Sequence, residues 1–166
     1  AGDVVITENP TFLGALIAFN PYEPAYAPVR TDEGGMDVDD LERVLEQTPR
    51  ARLLYTMPDF QNPTGVTLTL ERRQRLVELA NRFNVLVVED TPYRDLRFEG
   101  EAVPSLKSLD TEGRVVYLGS FSKTLAPGIG TMKSPCCRTQ ASASCAAVTA
   151  FSLATAFSAS TSARFS

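Results

Sequence analysis

Val85-Leu86-Val87-Val88 is an unbroken apolar run of strand length, and it ends on two carboxylates, Glu89 and Asp90. A strand apolar on both sides must be covered on both faces, which is the situation of a strand inside a parallel sheet. Similar runs recur along the chain at Val4-Val5-Ile6-Thr7, Tyr26 to Arg30, Ala51 to Met57 and Val115 to Leu118. Helical periodicity fills the intervals. Thr11 to Phe19 carries an apolar face through Phe12, Leu13, Leu16, Ile17 and Ala18. Asp37 is placed to cap a helix with Leu41, Val44 and Leu45 on its inner side, and Thr69 to cap a helix over 70–83 with Leu76, Val77, Leu79, Ala80 and Phe83 at helical spacing. Glu8-Asn9-Pro10 reads as a break, Thr31 to Gly35 as a polar turn, and Ser105 to Leu109 as a short helical turn. The alternation predicts an α/β fold of βαβ units: a three-layer αβα arrangement around a mainly parallel sheet.

Composition narrows the chemistry. The 166 residues suffice for one domain with a sizeable core, and a formal net charge of −4 argues against nucleic acid as a partner. No apolar run approaches a membrane span, and no signal peptide opens the sequence, so no membrane partner is expected. Histidine is missing altogether, which excludes Ser-His-Asp and Cys-His catalysis and histidine-ligated metal sites within the chain. Cys136, Cys137 and Cys145 form neither a disulfide framework nor a metal-binding spacing, so no metal is expected and a cytoplasmic location is.

Three polar clusters sit at the carboxyl ends of expected strands, where open α/β sheets bind ligands. Asn62-Pro63-Thr64-Gly65 follows the third run, Asp90 with Tyr93 follows the fourth, and Ser120-Phe121-Ser122-Lys123 follows the last. An amine, an acid, a phenol, an amide and two hydroxyls in one crevice suit an organic cofactor that forms an imine with lysine. Each part has a plainer reading as well. Lys123 alone would be a solvated surface amine, Asp90 a cap for the turn that follows, Tyr93 a half-buried packing residue, and the Asn-Pro segment a turn. Ser120 and Ser122, with nearby backbone N–H groups, form a plausible phosphate-binding turn. An unpaired Asp90 after so apolar a strand is costly, so it should meet a cation or a strong donor.

Taken together, these segments resemble the fold type I pyridoxal phosphate (PLP) enzymes, specifically the class I/II aminotransferases. Pro58 to Gly65 and Ser120 to Gly128 are similar to the aminoadipate/kynurenine-type subgroup, whose large domain is shared with PLP-dependent regulators of the MocR kind. The resemblance spans residues 2–129 and implies the large-domain core of a PLP-dependent transferase. By that resemblance Lys123 would carry the lysine aldimine and shuttle a proton, and Asp90 would pair with the ring nitrogen. Asn62 and Tyr93 would contact the phenolic oxygen, and Ser120 and Ser122 the phosphate. Asn9-Pro10-Thr11-Phe12 matches the segment bearing a ring that stacks on the cofactor, so Phe12 would be that ring; a core position in the following helix is the other reading.

The implied activity is transfer of an amino group between an L-amino acid and a 2-oxo acid by a homodimer. The alternatives are a PLP-sensing effector domain of a MocR-type regulator, or a catalytically inactive fragment. Departures from the family pattern favour the last. Gly130 stands where the family has a phosphate-gripping arginine, and neither Arg138 nor Arg164 matches the context of the arginine that clamps the substrate carboxylate. The chain is therefore expected to divide into residues 1–133, the central part of the PLP-binding large domain, and residues 134–166, an atypical tail dominated by Ala, Ser and Thr. Codons for those three residues share a central C, so a shifted reading of a GC-rich gene would produce such a run.

Overall fold

Each apolar run becomes a strand and each periodic segment a helix among residues 2–124 and 130–133, which the computed structural model describes. In chain order the elements are β1 (Val4–Asn9), α1 (Leu13–Phe19), β2 (Ala25–Asp32), β3 (Gly35–Met36), α2 (Val38–Gln47), β4 (Ala51–Thr56), α3 (Leu70–Phe83), β5 (Leu86–Asp90), α4 (Leu106–Leu109), β6 (Val115–Ser120) and β7 (Gly130–Lys133). They form one seven-stranded sheet in the order β3-β2-β1-β4-β5-β6-β7. The five inner strands are parallel, and the outermost strand at each edge is antiparallel to its neighbour. The polar sequence expected after Val115 to Leu118 therefore sits where β5 and β6 end side by side, with Asp90 in register with Leu118.

Strand residues alternate between the two faces. Ile6, Leu54, Val87 and Val115 pack with Leu41 and Val44 of α2, Leu76 and Leu79 of α3 and Leu106 of α4. Val5, Leu53, Tyr55 and Val88 pack on the other face with Ala15 and Phe19 of α1. Three layers result, as the sequence pattern predicts. The caps hold too: Asp37 accepts from the N–H groups of Asp39 and Asp40, and Thr69 from that of Arg72. Among the described residues no helix is long and apolar enough to cross a membrane.

Three local expectations are corrected. Glu8 and Asn9 do not break the chain but extend β1, because the parallel pairing with β2 runs on, with Glu8 in register with Val29 and Asn9 with Arg30. Thr31 to Gly35 is an edge hairpin rather than a plain turn, with Thr31 opposite Met36 and Asp32 opposite Gly35. Gly35 has φ +94° and lies so close to Leu68 that a Cβ would come within 2.8 Å of its Cδ1. The first helix begins at Leu13, not Thr11, with no side-chain cap at Phe12. The Ala/Ser/Thr-rich tail of residues 134–166, with its three cysteines and two arginines, lies outside the described residues.

Two buried carboxylates fix the loops above the sheet. Asp59 is fully buried and meets three guanidinium groups: Arg73 at 3.0 Å, Arg94 at 2.8 Å and Arg97 at 3.3 Å. Arg73 is itself fully buried and also donates to the carbonyls of Pro58, Leu68 and Pro104. One ion cluster thus ties the loop after β4, the start of α3 and the segment after Tyr93. The second carboxylate is Glu8, 3% exposed at the end of β1. It accepts from Thr56 Oγ1 at 2.7 Å, from the Met57 N–H at 3.3 Å and from Gln61 Nε2 at 3.1 Å. Burial pushes its carboxyl up to about 7, against the hydrogen bonds that favour the charged form.

Replacing Asp59 by Ala leaves a buried guanidinium without its counter-charge, and should cost about 3–5 kcal/mol of unfolding free energy in urea melts. Arg73→Met should cost less, because Asp59 keeps Arg94 and Arg97. Glu8 makes a pH-dependent contribution of known sign. Its folded carboxyl binds a proton more tightly than the unfolded one, so the contribution is full below about pH 4.5 and is lost as pH rises through about 7. Relative to Glu8→Gln, the protein should lose up to about 3 kcal/mol of stability across that window.

Candidate functional site

The carboxyl ends of β4, β5 and β6 lie side by side at one edge of the sheet, where sheets of this type bind ligands. Asp90 ends β5 on the face that carries α1. Its Oδ2 accepts from the Tyr55 hydroxyl at 2.7 Å, and Tyr55, 1% exposed, is held edge-on against Phe19 at 6.0 Å. Burial keeps the Tyr55 hydroxyl protonated far beyond the ordinary tyrosine range, with the charge of Asp90 adding to the effect, so Tyr55 acts as a fixed donor. Burial raises the Asp90 carboxyl, and the Tyr55 bond lowers it again in part. Among the described residues no lysine or arginine forms an ion pair with Asp90. The strong donor demanded by its position is a neutral one.

The chain leaving Asp90 is pinned to β6, since the Thr91 N–H and hydroxyl both donate to the Leu118 carbonyl, at 2.9 and 3.0 Å. That carries Tyr93 against the α1-side core. Lys123 reaches the same place from the next strand: its Nζ lies 5.8 Å from the centre of the Tyr93 ring. The amine is exposed rather than buried among other cations. Ser120 and Ser122 form the turn between β6 and Lys123, where the Ser122 N–H donates to Ser120 Oγ at 3.1 Å. The structure therefore brings Asp90, Tyr93, Lys123, Ser120 and Ser122 to one end of two neighbouring strands.

Asn62 and Phe12 stand on adjoining loops. Asn62 is half-buried in the loop after β4, and Phe12 precedes α1 with 36% of its surface exposed. Phe12 is thus no core residue of its helix. Its ring lies over Gly14, where an added Cβ would fall 2.5 Å from the ring. Both loops turn at a cis peptide, Asn9–Pro10 and Asn62–Pro63. Gln61 joins them: its Nε2 donates to Glu8 and to the Pro10 carbonyl at 2.8 Å, and its Oε1 accepts from the N–H and hydroxyl of Thr64.

Tyr55, Glu8 and Gln61 did not stand out as site residues in the sequence. Tyr55 reads there as one more large residue of a buried strand; the signal is that a tyrosine hidden on both faces must place its hydroxyl on an acceptor. Glu8 lies two residues beyond Ile6, on the same strand face, which puts a carboxylate at the edge of the core.

The family of class I and II aminotransferases matches this chain over residues 1–164. An aromatic-amino-acid aminotransferase of Thermococcus litoralis is 49% identical over 131 residues, covering 76% of this chain and 31% of the relative. A 2-aminoadipate transaminase of Thermus thermophilus is 44% identical over 131 residues, covering 77% and 33%. Among solved structures, the kynurenine aminotransferase of Pyrococcus horikoshii, in a complex with PMP, superposes with a TM-score of 0.75 at 49% identity, covering 78% of this chain and 33% of that one. The chain spans about a third of the length of the curated relatives it matches. With a mainly parallel sheet and a family match that runs over residues 1–164, this chain belongs to the class I and II aminotransferases.

Proposed function

We propose that the chain is the cofactor-binding core of a PLP-dependent aminotransferase acting between an L-amino acid and a 2-oxo acid. The observation that carries this reading is Asp90. It is a carboxylate disfavoured by burial, anchored on one oxygen by Tyr55 and matched by no cation among the described residues. A pyridinium N–H⁺ supplies the missing positive charge, and the Asp90 carboxylate would hold that proton at the ring nitrogen. The residues present fit the cofactor on that count, and Lys123 beside Tyr93 adds the amine.

When bound, pyridoxal phosphate supplies an electron sink for a carbanion next to the amino group. The protein's own part is binding, orientation and proton movement. Lys123 Nζ would hold the cofactor's aldehyde carbon and later carry a proton to and from the substrate. Asn62 and Tyr93 would donate to the phenolic oxygen, and the turn of Ser120 and Ser122 would bind phosphate through hydroxyl and backbone N–H groups. Phe12, exposed at the mouth of α1, would cover one ring face. The reading includes a homodimer, to which Leu13 and Ile17, 65% and 62% exposed on α1, offer apolar surface. It also includes a cytoplasmic location, in keeping with three cysteines whose odd number and crowded spacing suggest no disulfide framework.

Borohydride treatment after addition of pyridoxal phosphate should fix the cofactor on the peptide containing Lys123, detected by mass, and Lys123→Ala should abolish the label. Labelling spread over other lysines to the same extent would refute the assignment. A second expectation concerns phosphate. Gly130 lies opposite Ser120 in the β6–β7 ladder, at the position where the family resemblance implies a phosphate-gripping arginine. Gly130→Arg should tighten pyridoxal phosphate binding about tenfold, the scale of one charge-assisted hydrogen bond, as read by equilibrium titration.

A further inference from the structure

Glu8 has no part in the reading above, yet it is buried, it meets no cation among the described residues, and it spends its acceptor capacity on three donors from one neighbouring stretch. Thr56 and Met57 belong to the end of β4 and the start of its loop. Gln61 is different, because both ends of its side chain are engaged. One amide hydrogen goes to Glu8 and the other to Pro10 on the segment leading to Phe12. Its carbonyl closes the Asn62-Pro63-Thr64 turn by accepting from Thr64. An amide has two ways to face, and only one puts the N–H₂ toward Glu8 and Pro10. The carboxylate selects that orientation, and with it the orientation that leaves the carbonyl for Thr64.

We propose that Glu8 is a positioning residue which, acting through Gln61, holds the loop bearing Phe12 and the loop bearing Asn62 at a fixed separation. The proposal deepens the cofactor reading and rests on it only in taking the gap between those loops as the slot for a flat ring. An aromatic ring stacked on one side and hydrogen-bonded at its edge from the other tolerates little error in that spacing, since donor and acceptor must meet within a few tenths of an ångström.

The test uses amide hydrogen exchange on the full chain without cofactor, followed by titration with pyridoxal phosphate. The reporters are Thr64, bonded to Gln61, and Ala15, whose N–H donates to the Phe12 carbonyl at 3.1 Å; neither touches Glu8. Glu8→Ala should speed exchange at both about tenfold, leaving the core amides of Leu79 and Val87 unchanged. Gln61→Leu should speed Ala15 in the same way, and it decides the matter if Glu8→Ala does not fold. Glu8→Gln should restore both rates, because its carbonyl can accept from Gln61 and Met57 while the Thr56 hydroxyl turns to accept from its N–H₂.

Affinity for pyridoxal phosphate should follow the same order, about tenfold weaker in Glu8→Ala and Gln61→Leu and near the starting value in Glu8→Gln. Wild-type rates at Thr64 and Ala15 in Glu8→Ala would overturn the proposal. So would an acceleration shared equally by Leu79 and Val87, which would make Glu8 a general stabiliser. If the wild-type chain binds no pyridoxal phosphate while the amide pattern holds, the cofactor reading falls and the positioning role stands.

Discussion

Asp59 organises this end of the molecule. A carboxylate removed from water is tolerated only with its charge answered and its lone pairs filled, and here three arginines from two separate segments do so. The same arginines also bind the carbonyls of Pro58, Leu68, Val103 and Pro104. The loop after β4 and the stretch after Tyr93 therefore cannot shift independently. The Asn62 turn on one side and Tyr93 on the other are both placed relative to that cluster.

Set beside Asp59, Asp90 shows the difference between a carboxylate answered by charge from within the chain and one that is not. The first is matched by more positive charge than it carries, all from within the chain. The second lies one strand away with a neutral hydroxyl as its side-chain donor. Burial weighs against its charge, and the Tyr55 bond only partly offsets this. A site in that condition gains from any cationic donor that reaches it, and under the proposed reading a protonated ring nitrogen would be that donor. The neighbouring strand supplies Lys123 from a turn whose hydroxyls and N–H groups suit an anion. In the proposed reading, recognition of charge at one end and of phosphate at the other would fall to two adjacent strand ends.

Much of this was legible in the sequence, because the relevant signals are local and periodic. The apolar run at Val85 to Val88 and the spacing of Leu76, Leu79 and Ala80 each follow from one face of one element. Asp90, Tyr93 and Lys123 follow from the rule that parallel strands deliver ligand-binding groups at their carboxyl ends. What escaped was long-range or irregular. Arg73 lies on the apolar stripe of α3, three residues before Leu76, and reads as an interruption until Asp59 is brought to it from a different loop. Glu8 looks like part of a turn beside Pro10, and only pairing with Val29 of β2 turns it into a strand residue facing inward. The edge hairpin at Thr31 to Met36 depends on a glycine at positive φ packed against Leu68.

The central claim is that the Asp90 carboxylate faces a protonated ring nitrogen across from Lys123. Nitrogen-15 NMR of the chain loaded with ring-labelled pyridoxal phosphate tests it most directly. The nitrogen should resonate as protonated at neutral pH in the wild-type chain and as unprotonated in Asp90→Asn. An identical protonation state in both proteins would contradict the account.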